Sequence, residues 1–231
     1  MQHKHCNPEI LKLLSEKSST KQFVYRQTKS LFEEFKRIVA GIATELNSNI
    51  CDIDSNVVVE FVDSGSFECR IVFSGDVIVF QMHTNVFSFE SNHHIWKNSY
   101  IKDDTMRAYF GVIHMYNFLA DSFRYNRRQD YGYLMGRIFV NKDKHFFVEG
   151  KRQFGFLYNN VAEDQFTTEA MRKIIERCIV YALDFDLTTP DFNLLREVTV
   201  AQVEAQGEYL NLSTRKKLGF KLSYEKKSEI R

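Results

Sequence analysis

Residues 56–90 read NVVVEFVDSGSFECRIVFSGDVIVFQMHTNVFSFE, and this stretch decides the fold class. Apolar residues recur at every second position, and the flanking turns are built from Ser, Gly, Asp and Asn. That is the pattern of short antiparallel strands. Four strands are expected, at about 57–63, 67–73, 77–82 and 86–90. A three-residue loop at Ser64-Gly65-Ser66 sets Phe61 opposite Cys69, Val59 opposite Ile71 and Glu60 opposite Arg70. A two-residue loop would put Phe61 against Glu68 and mix apolar with charged faces, so it is rejected. Gly75-Asp76 suits a type II′ turn, which aligns Phe73 with Ile78, Ile71 with Phe80 and Cys69 with Met82. A turn at His83-Thr84-Asn85 then brings Phe87 and Phe89 onto the same face. The expected core face is Phe61, Cys69, Ile71, Phe73, Ile78, Phe80, Met82, Phe87 and Phe89. The other face holds Glu60, Glu68, Arg70 and Gln81 among Val62, Val72, Val77, Val79 and Val86. So mixed a face calls for a cover, either another element or a partner.

Outward from this meander the period changes. Residues 8–17 fit a short helix with Ile10, Leu11, Leu13 and Leu14 on its apolar side, interrupted at Ser18-Ser19-Thr20. A second helix runs to about Leu46 on the stripe Phe23, Leu31, Phe35, Ile38, Ile42 and Leu46, and Asn47-Ser48-Asn49 stops it. Asp103-Asp104-Thr105 opens an expected helix over 103–125, with Met106, Tyr109, Phe110, Ile113, Asn117 and Ala120 on one side. A hairpin is expected over 131–149, turning at Asn141-Lys142-Asp143-Lys144. Helices over 167–206 begin at Thr167-Thr168, with Met171, Ile174, Ile175, Cys178, Ala182 and Phe185 in one stripe. A second of these starts at Thr189-Pro190. Alternation from Leu218 to Tyr224 ends the chain in a strand and basic tail over 207–231. The reading is a single α+β domain over 1–231, with helices packed on an antiparallel sheet.

Composition sets the outer bounds. A chain of 231 residues, 44% hydrophobic and 26% charged, buries enough surface to fold without a metal or disulfide. The formal net charge of +1 gives no global pull toward nucleic acid or anionic membranes, so any basic site must be local. Cys6, Cys51, Cys69 and Cys178 form no C-x-x-C pair and no disulfide framework. The first residues lack the apolar core of a secretory signal, and no apolar run is long enough to span a bilayer. No membrane association is expected, and the cytoplasm follows by exclusion.

The most unusual segment is 124–152. Arg124, Arg127, Arg128, Arg137, Lys142, Lys144, Lys151 and Arg152 stand there against Asp130, Asp143 and Glu149, interleaved with Tyr125, Tyr131, Tyr133, Phe139, Phe146 and Phe147. Cations beside exposed aromatics suit phosphate contact with base stacking. Arg124, Arg127, Arg128, Arg137, Lys151 and Arg152 are the candidate ligand-binding residues. The plainer account is a hairpin whose aromatics face the core and whose lysines guard an edge strand. Glu149-Gly150-Lys151-Arg152 lacks the phosphate-loop frame. His83, His93 and His94 gather at one end of the meander without a metal-ligand spacing, and Glu60 with Arg70 reads as a cross-strand ion pair. No nucleophile–base or paired-carboxylate constellation is legible, and no cofactor is expected. Three readings follow. The first is a non-catalytic module holding a protein partner or small ligand on the outer sheet face or the hairpin. The second is a nucleic-acid or nucleotide binder using 124–152. The third is an enzyme whose site the sequence does not display.

Overall fold

The computed structural model describes residues 7–150 and 158–185, together with Val200. Its centre is a six-stranded antiparallel sheet in simple meander order: β1 (Val59–Asp63), β2 (Glu68–Phe73), β3 (Asp76–Met82), β4 (Gly111–Leu119), β5 (Tyr133–Val140) and β6 (Phe146–Gly150). The chain enters through helix α1 (Pro8–Leu13), widens to π geometry over Leu14–Ser18 and continues as α2 (Ser19–Cys51). Short helices α3 (Ser99–Asp103) and α4 (Ala120–Arg124) flank β4, and α5 (Thr168–Leu183) follows the sheet. This is the α+β architecture expected from the sequence. The second helix expected after Pro190, the final strand and the basic tail lie outside the described residues, apart from Val200.

The inner face of the sheet is closed by α2 and α5. Cys69, Ile71, Phe73, Ile78, Phe80 and Met82 are buried there with Phe35, Val39, Met171, Ile174 and Cys178. These six strand residues are the core face read from the meander, with Phe61 partly buried beside them. The α5 stripe is also as expected, with Met171, Ile174, Ile175, Cys178 and Ala182 all buried. Helix α2 comes close to β4 because residue 111 is glycine. A Cβ at Gly111 would fall 2.1 Å from Thr28 Oγ1, and Thr28 is fully buried.

Several expectations need correcting. The helix expected over 103–125 is a strand, β4, between short helical turns. Ile113 and Asn117 stand four residues apart, a spacing that shares a face in both helix and strand. The deciding signal is the alternation of Val112, His114, Tyr116 and Phe118 with Ile113, Met115 and Asn117. The fourth strand expected at 86–90 is not formed. Phe87 makes a single bridge to Phe110, and β4 takes the place beside β3. Both tight turns lie one residue from their expected places. Phe61 faces Ile71 and Val62 faces Arg70, so Glu60 and Arg70 are not opposite. Ile71 faces Ile78, with Ser74 taking the left-handed conformation (φ 51°). Each register therefore moves by two, which preserves the faces while changing every partner. The Asn47-Ser48-Asn49 stop also fails. Ser48 and Asn49 donate to the Thr44 and Glu45 carbonyls, and Asn47 Oδ1 accepts from the Val59 amide, so the helix end is tied to β1. Phe23 and Leu46, placed on the buried stripe, are exposed, while Val24, Phe32 and Val39 are buried.

Candidate functional site

The outer face of the sheet is where chemistry gathers. Its two ends are covered by the chain itself. At one end Val77, Val79 and Ala120 form a buried cluster with Val72, Tyr116 and Phe118 around it. Phe123 of α4 meets Phe118 edge-on at 5.4 Å, and the Arg70 guanidinium lies 4.3 Å from the Phe123 ring centre. At the other end the 87–104 connection folds back, so that Ile95, Ile101, Phe110, Val112, Phe139 and Phe147 are buried with Phe89, Trp96 and Tyr100. Phe89 thus packs on the face opposite to the one expected for it, and Phe87 is exposed. The mixed valine face is therefore covered partly by the chain's own elements.

Between the covers runs one polar row across five strands. Glu68 is paired with Gln81, Gln81 with His114, His114 with Arg137 and Arg137 with Glu149. At the usual strand spacing the row is roughly 19 Å long. Its carboxylates are both engaged. Glu68 accepts from Arg70 Nε at 2.8 Å, and Glu149 accepts from Arg137 Nε at 2.7 Å and from Arg137 Nη2. His114 is half-buried at the centre. Burial, then the charges of Arg137 and His83, hold its imidazole below the ordinary range, so it is neutral near pH 7. Neutral imidazole offers one donor and one acceptor.

A recess of about 270 Å³ opens on this row, lined by the 87–90 segment (Phe87, Ser88, Phe89 and Glu90) and by Val112, His114, Arg137 and Phe139 of the sheet. Phe139 stacks on Phe147 at 4.9 Å, and Arg137 lies 5.1 Å from the Phe139 ring centre. A second recess of about 340 Å³ adjoins the β2–β3 end and includes Glu68, Gln81 and His83. His83 sits between the two, 6.1 Å from the His114 ring. A wider depression of about 450 Å³ lies between α2 and the 84–86 turn, lined by Lys21, Gln22, Tyr25, Thr84, Asn85 and Val86.

The sequence-derived candidates separate in space. Arg137 belongs to the outer-face recess. Arg124, Arg127 and Arg128 lie in the connection after β4. Arg124 is exposed beside Asp121 at 3.8 Å, and Arg128 is exposed with Nε donating to Asn126 Oδ1. The Arg127 side chain is buried against Asp130, 2.9 Å away, whose carboxylate also accepts from Ser122. Lys142 pairs with Asp104 at 2.7 Å. Lys151 and Arg152 lie outside the described residues. Phe139, Phe146 and Phe147 are buried, whereas Tyr125 and Tyr131 are exposed. His93 stacks on Phe89 at 4.2 Å and pairs with His94, apart from the His83–His114 contact. Among the described residues no group of three His, Cys, Asp or Glu side chains is arranged to hold a metal. No described helix is long and apolar enough to cross a membrane. Gln81 stands on the polar face expected for it, whereas His114 is hidden from a sequence reading that runs a helix through 103–125; the Val112–Phe118 alternation is the signal that places His114 beside Gln81. No family model, curated protein or solved structure matches the chain, so its site is read from its own geometry.

Proposed function

We propose that this chain is a non-catalytic binding module that holds a small ligand on the outer face of its sheet, in the recess between Phe89, Phe139, His114 and Arg137. One observation carries the reading: the sheet keeps a cation, a neutral imidazole and aromatic surface together on a face whose two ends are already closed. The chemistry fits a flat apolar group bearing one acidic group. Aromatic rings supply the apolar wall. A guanidinium has five N–H donors, and Glu149 takes those on Nε and Nη2, which leaves the Nη1 side for an incoming carboxylate or phosphate. The engagement of both carboxylates of the row with arginines supports binding rather than proton transfer. Free, buried Cys69 and Cys178 support placing the module in the cytoplasm.

The test is calorimetric titration with benzoate, phenyl phosphate and adenosine monophosphate, comparing wild type with Arg137→Ala and Phe139→Leu. Saturable binding of at least one probe, weakened tenfold or more by Arg137→Ala, is expected. Absence of binding to all three would overturn the small-ligand reading and bring a protein partner on this face forward. A second reading, an oligonucleotide held by the 124–152 segment, is favoured by exposed Tyr125 and Tyr131 near exposed Arg124 and Arg128. It predicts oligonucleotide binding that falls steeply with salt and is lost in Arg124→Ala/Arg128→Ala.

A further inference from the structure

The first eleven described helical residues are built as a helix and packed as if something were missing. Asn7 caps the start, its Oδ1 accepting from the Glu9 amide, and Pro8 occupies the first turn. Yet no residue from Pro8 to Ser18 is buried. Ile10, Leu11, Leu13 and Leu14 are 51–55% exposed, four large aliphatics within five positions. At helical spacing they form one stripe centred between Ile10 and Leu14. Short helices gain most of their stability from packing an apolar face. A contiguous apolar patch of this kind marks an interaction surface.

The charges beside the stripe identify what fits it. Glu9 and Lys17 stand eight residues apart, roughly 11 Å along the axis, and the wider π turn over Leu14–Ser18 brings Lys17 round to the Leu13 edge beside Glu9. In an antiparallel pair of identical helices, the same edge of each copy meets. A two-fold axis through Leu13 then sets each Glu9 beside the partner's Lys17, twice, over a shared aliphatic seam. In a parallel pair opposite edges meet, so Glu9 and Lys17 would both face the uncharged Leu11 edge and find no complement. We propose that the exposed helix tip Pro8–Ser18 is a self-association surface that pairs with the same segment of a second copy in antiparallel orientation. The contact is isologous, as closed two-fold dimers require. Four residues a side make a small interface, below about 1,200 Å², so the dimer dissociates on dilution. The inference is independent of the ligand site, because the tip and the outer sheet face share no residue.

The experiment is sedimentation velocity across a concentration series. Wild type should shift from monomer to dimer as concentration rises. Leu11→Asp/Leu14→Asp should weaken association more than about tenfold. It changes no buried side chain, so circular dichroism should show an intact fold. Glu9→Lys alone and Lys17→Glu alone should each weaken the dimer, and a mixture of the two single variants should associate more tightly than either alone. Wild type that stays monomeric throughout overturns the proposal. So does a dimer indifferent to Leu11→Asp/Leu14→Asp. A dimer that Glu9→Lys leaves unchanged overturns the antiparallel arrangement.

Discussion

Truncating Phe80 to alanine tests the packing of the core against the sheet. Phe80 is fully buried on β3, with Cys69 opposite on β2 and Met115 opposite on β4. The Phe35 ring of α2 meets it edge-on, with centroids 5.0 Å apart. Phe→Ala substitutions in cores cost about 3–5 kcal/mol, and the value depends on how far the cavity collapses. Here collapse is resisted from both sides. Both neighbouring strands hold β3 by backbone hydrogen bonds, and α2 is fixed at its own contact with β4 where Thr28 meets Gly111. An edge-on aromatic pair adds about 0.5–1.5 kcal/mol beyond burial. Phe80→Ala should therefore cost about 4–5 kcal/mol, a large share of the roughly 5–15 kcal/mol that holds a typical domain. Urea unfolding followed by circular dichroism measures it, with an unchanged m-value confirming that the same surface unfolds. Combined with Phe35→Ala in a double-mutant cycle, the coupling should exceed about 0.5 kcal/mol. Ile53→Ala, at an exposed position past α2, should stay within about 0.5 kcal/mol. A loss below about 1 kcal/mol for Phe80→Ala would refute the packing described here.

Three further outcomes follow from single sites. Asn117 is fully buried on the inner face, and among the described residues neither its Nδ2 nor its Oδ1 has a hydrogen-bond partner. Asn117→Val should raise stability by about 1–3 kcal/mol, read as a higher melting temperature, and a fall would show the amide to be engaged. Gly111→Ala should cost about 1–3 kcal/mol by overpacking against Thr28, and a neutral result in denaturation would contradict the close α2–β4 approach. Asp63 carries the pH dependence. Hydrogen bonds from the Lys36 ammonium, 2.9 Å away, and from the Gly65 amide hold its carboxyl below the ordinary range. Burial pulls the Lys36 ammonium down, but its bond to Asp63 and the Glu33 and Asp63 charges outweigh burial and leave it raised. A lowered folded carboxylate stabilises fully above the usual aspartate value of about 3.9 and loses that contribution as pH falls through the folded value. Asp63→Asn should flatten this acid limb of the stability curve; an unchanged limb would mean the pair contributes nothing.

Parity made the meander legible. Because strand faces alternate strictly, Cys69, Ile71, Phe73, Ile78, Phe80 and Met82 could be assigned to the core even though both turns fall one residue from their expected positions. Partners were less legible than faces, since moving a tight turn by one residue exchanges every cross-strand neighbour and leaves each face intact. So Arg70 salt-bridges Glu68 on its own strand rather than Glu60 across the hairpin. The 103–125 segment shows a different limit: Ile113 and Asn117 satisfy helix and strand alike, and the choice is made by β3, which offers an open edge to pair. The candidate site was legible only in fragments. Arg137 stood out as one cation among many, but its neighbours His114 and Phe89 come from another strand and a distant connection. Sequence proximity also gathered Arg127 with Arg124 and Arg128, although its side chain is buried against Asp130.

The recess on the outer sheet face is proposed as the ligand site, and the molecule carries its own probe there. The chain has one tryptophan, and its Nε1–H donates to the Glu90 carbonyl at 2.9 Å, on the segment that borders the recess. Its single indole N–H resonance is therefore a reporter of that site. Titration of isotope-labelled protein with phenyl phosphate, followed by two-dimensional amide spectra, is the most direct measurement. Binding in the recess predicts saturable shifts of the Trp96 indole and of the Phe89, Val112, His114, Arg137 and Phe139 amides, with Arg124 and Arg128 unmoved. Shifts confined to Arg124–Tyr131, or none at saturating phenyl phosphate, would contradict it.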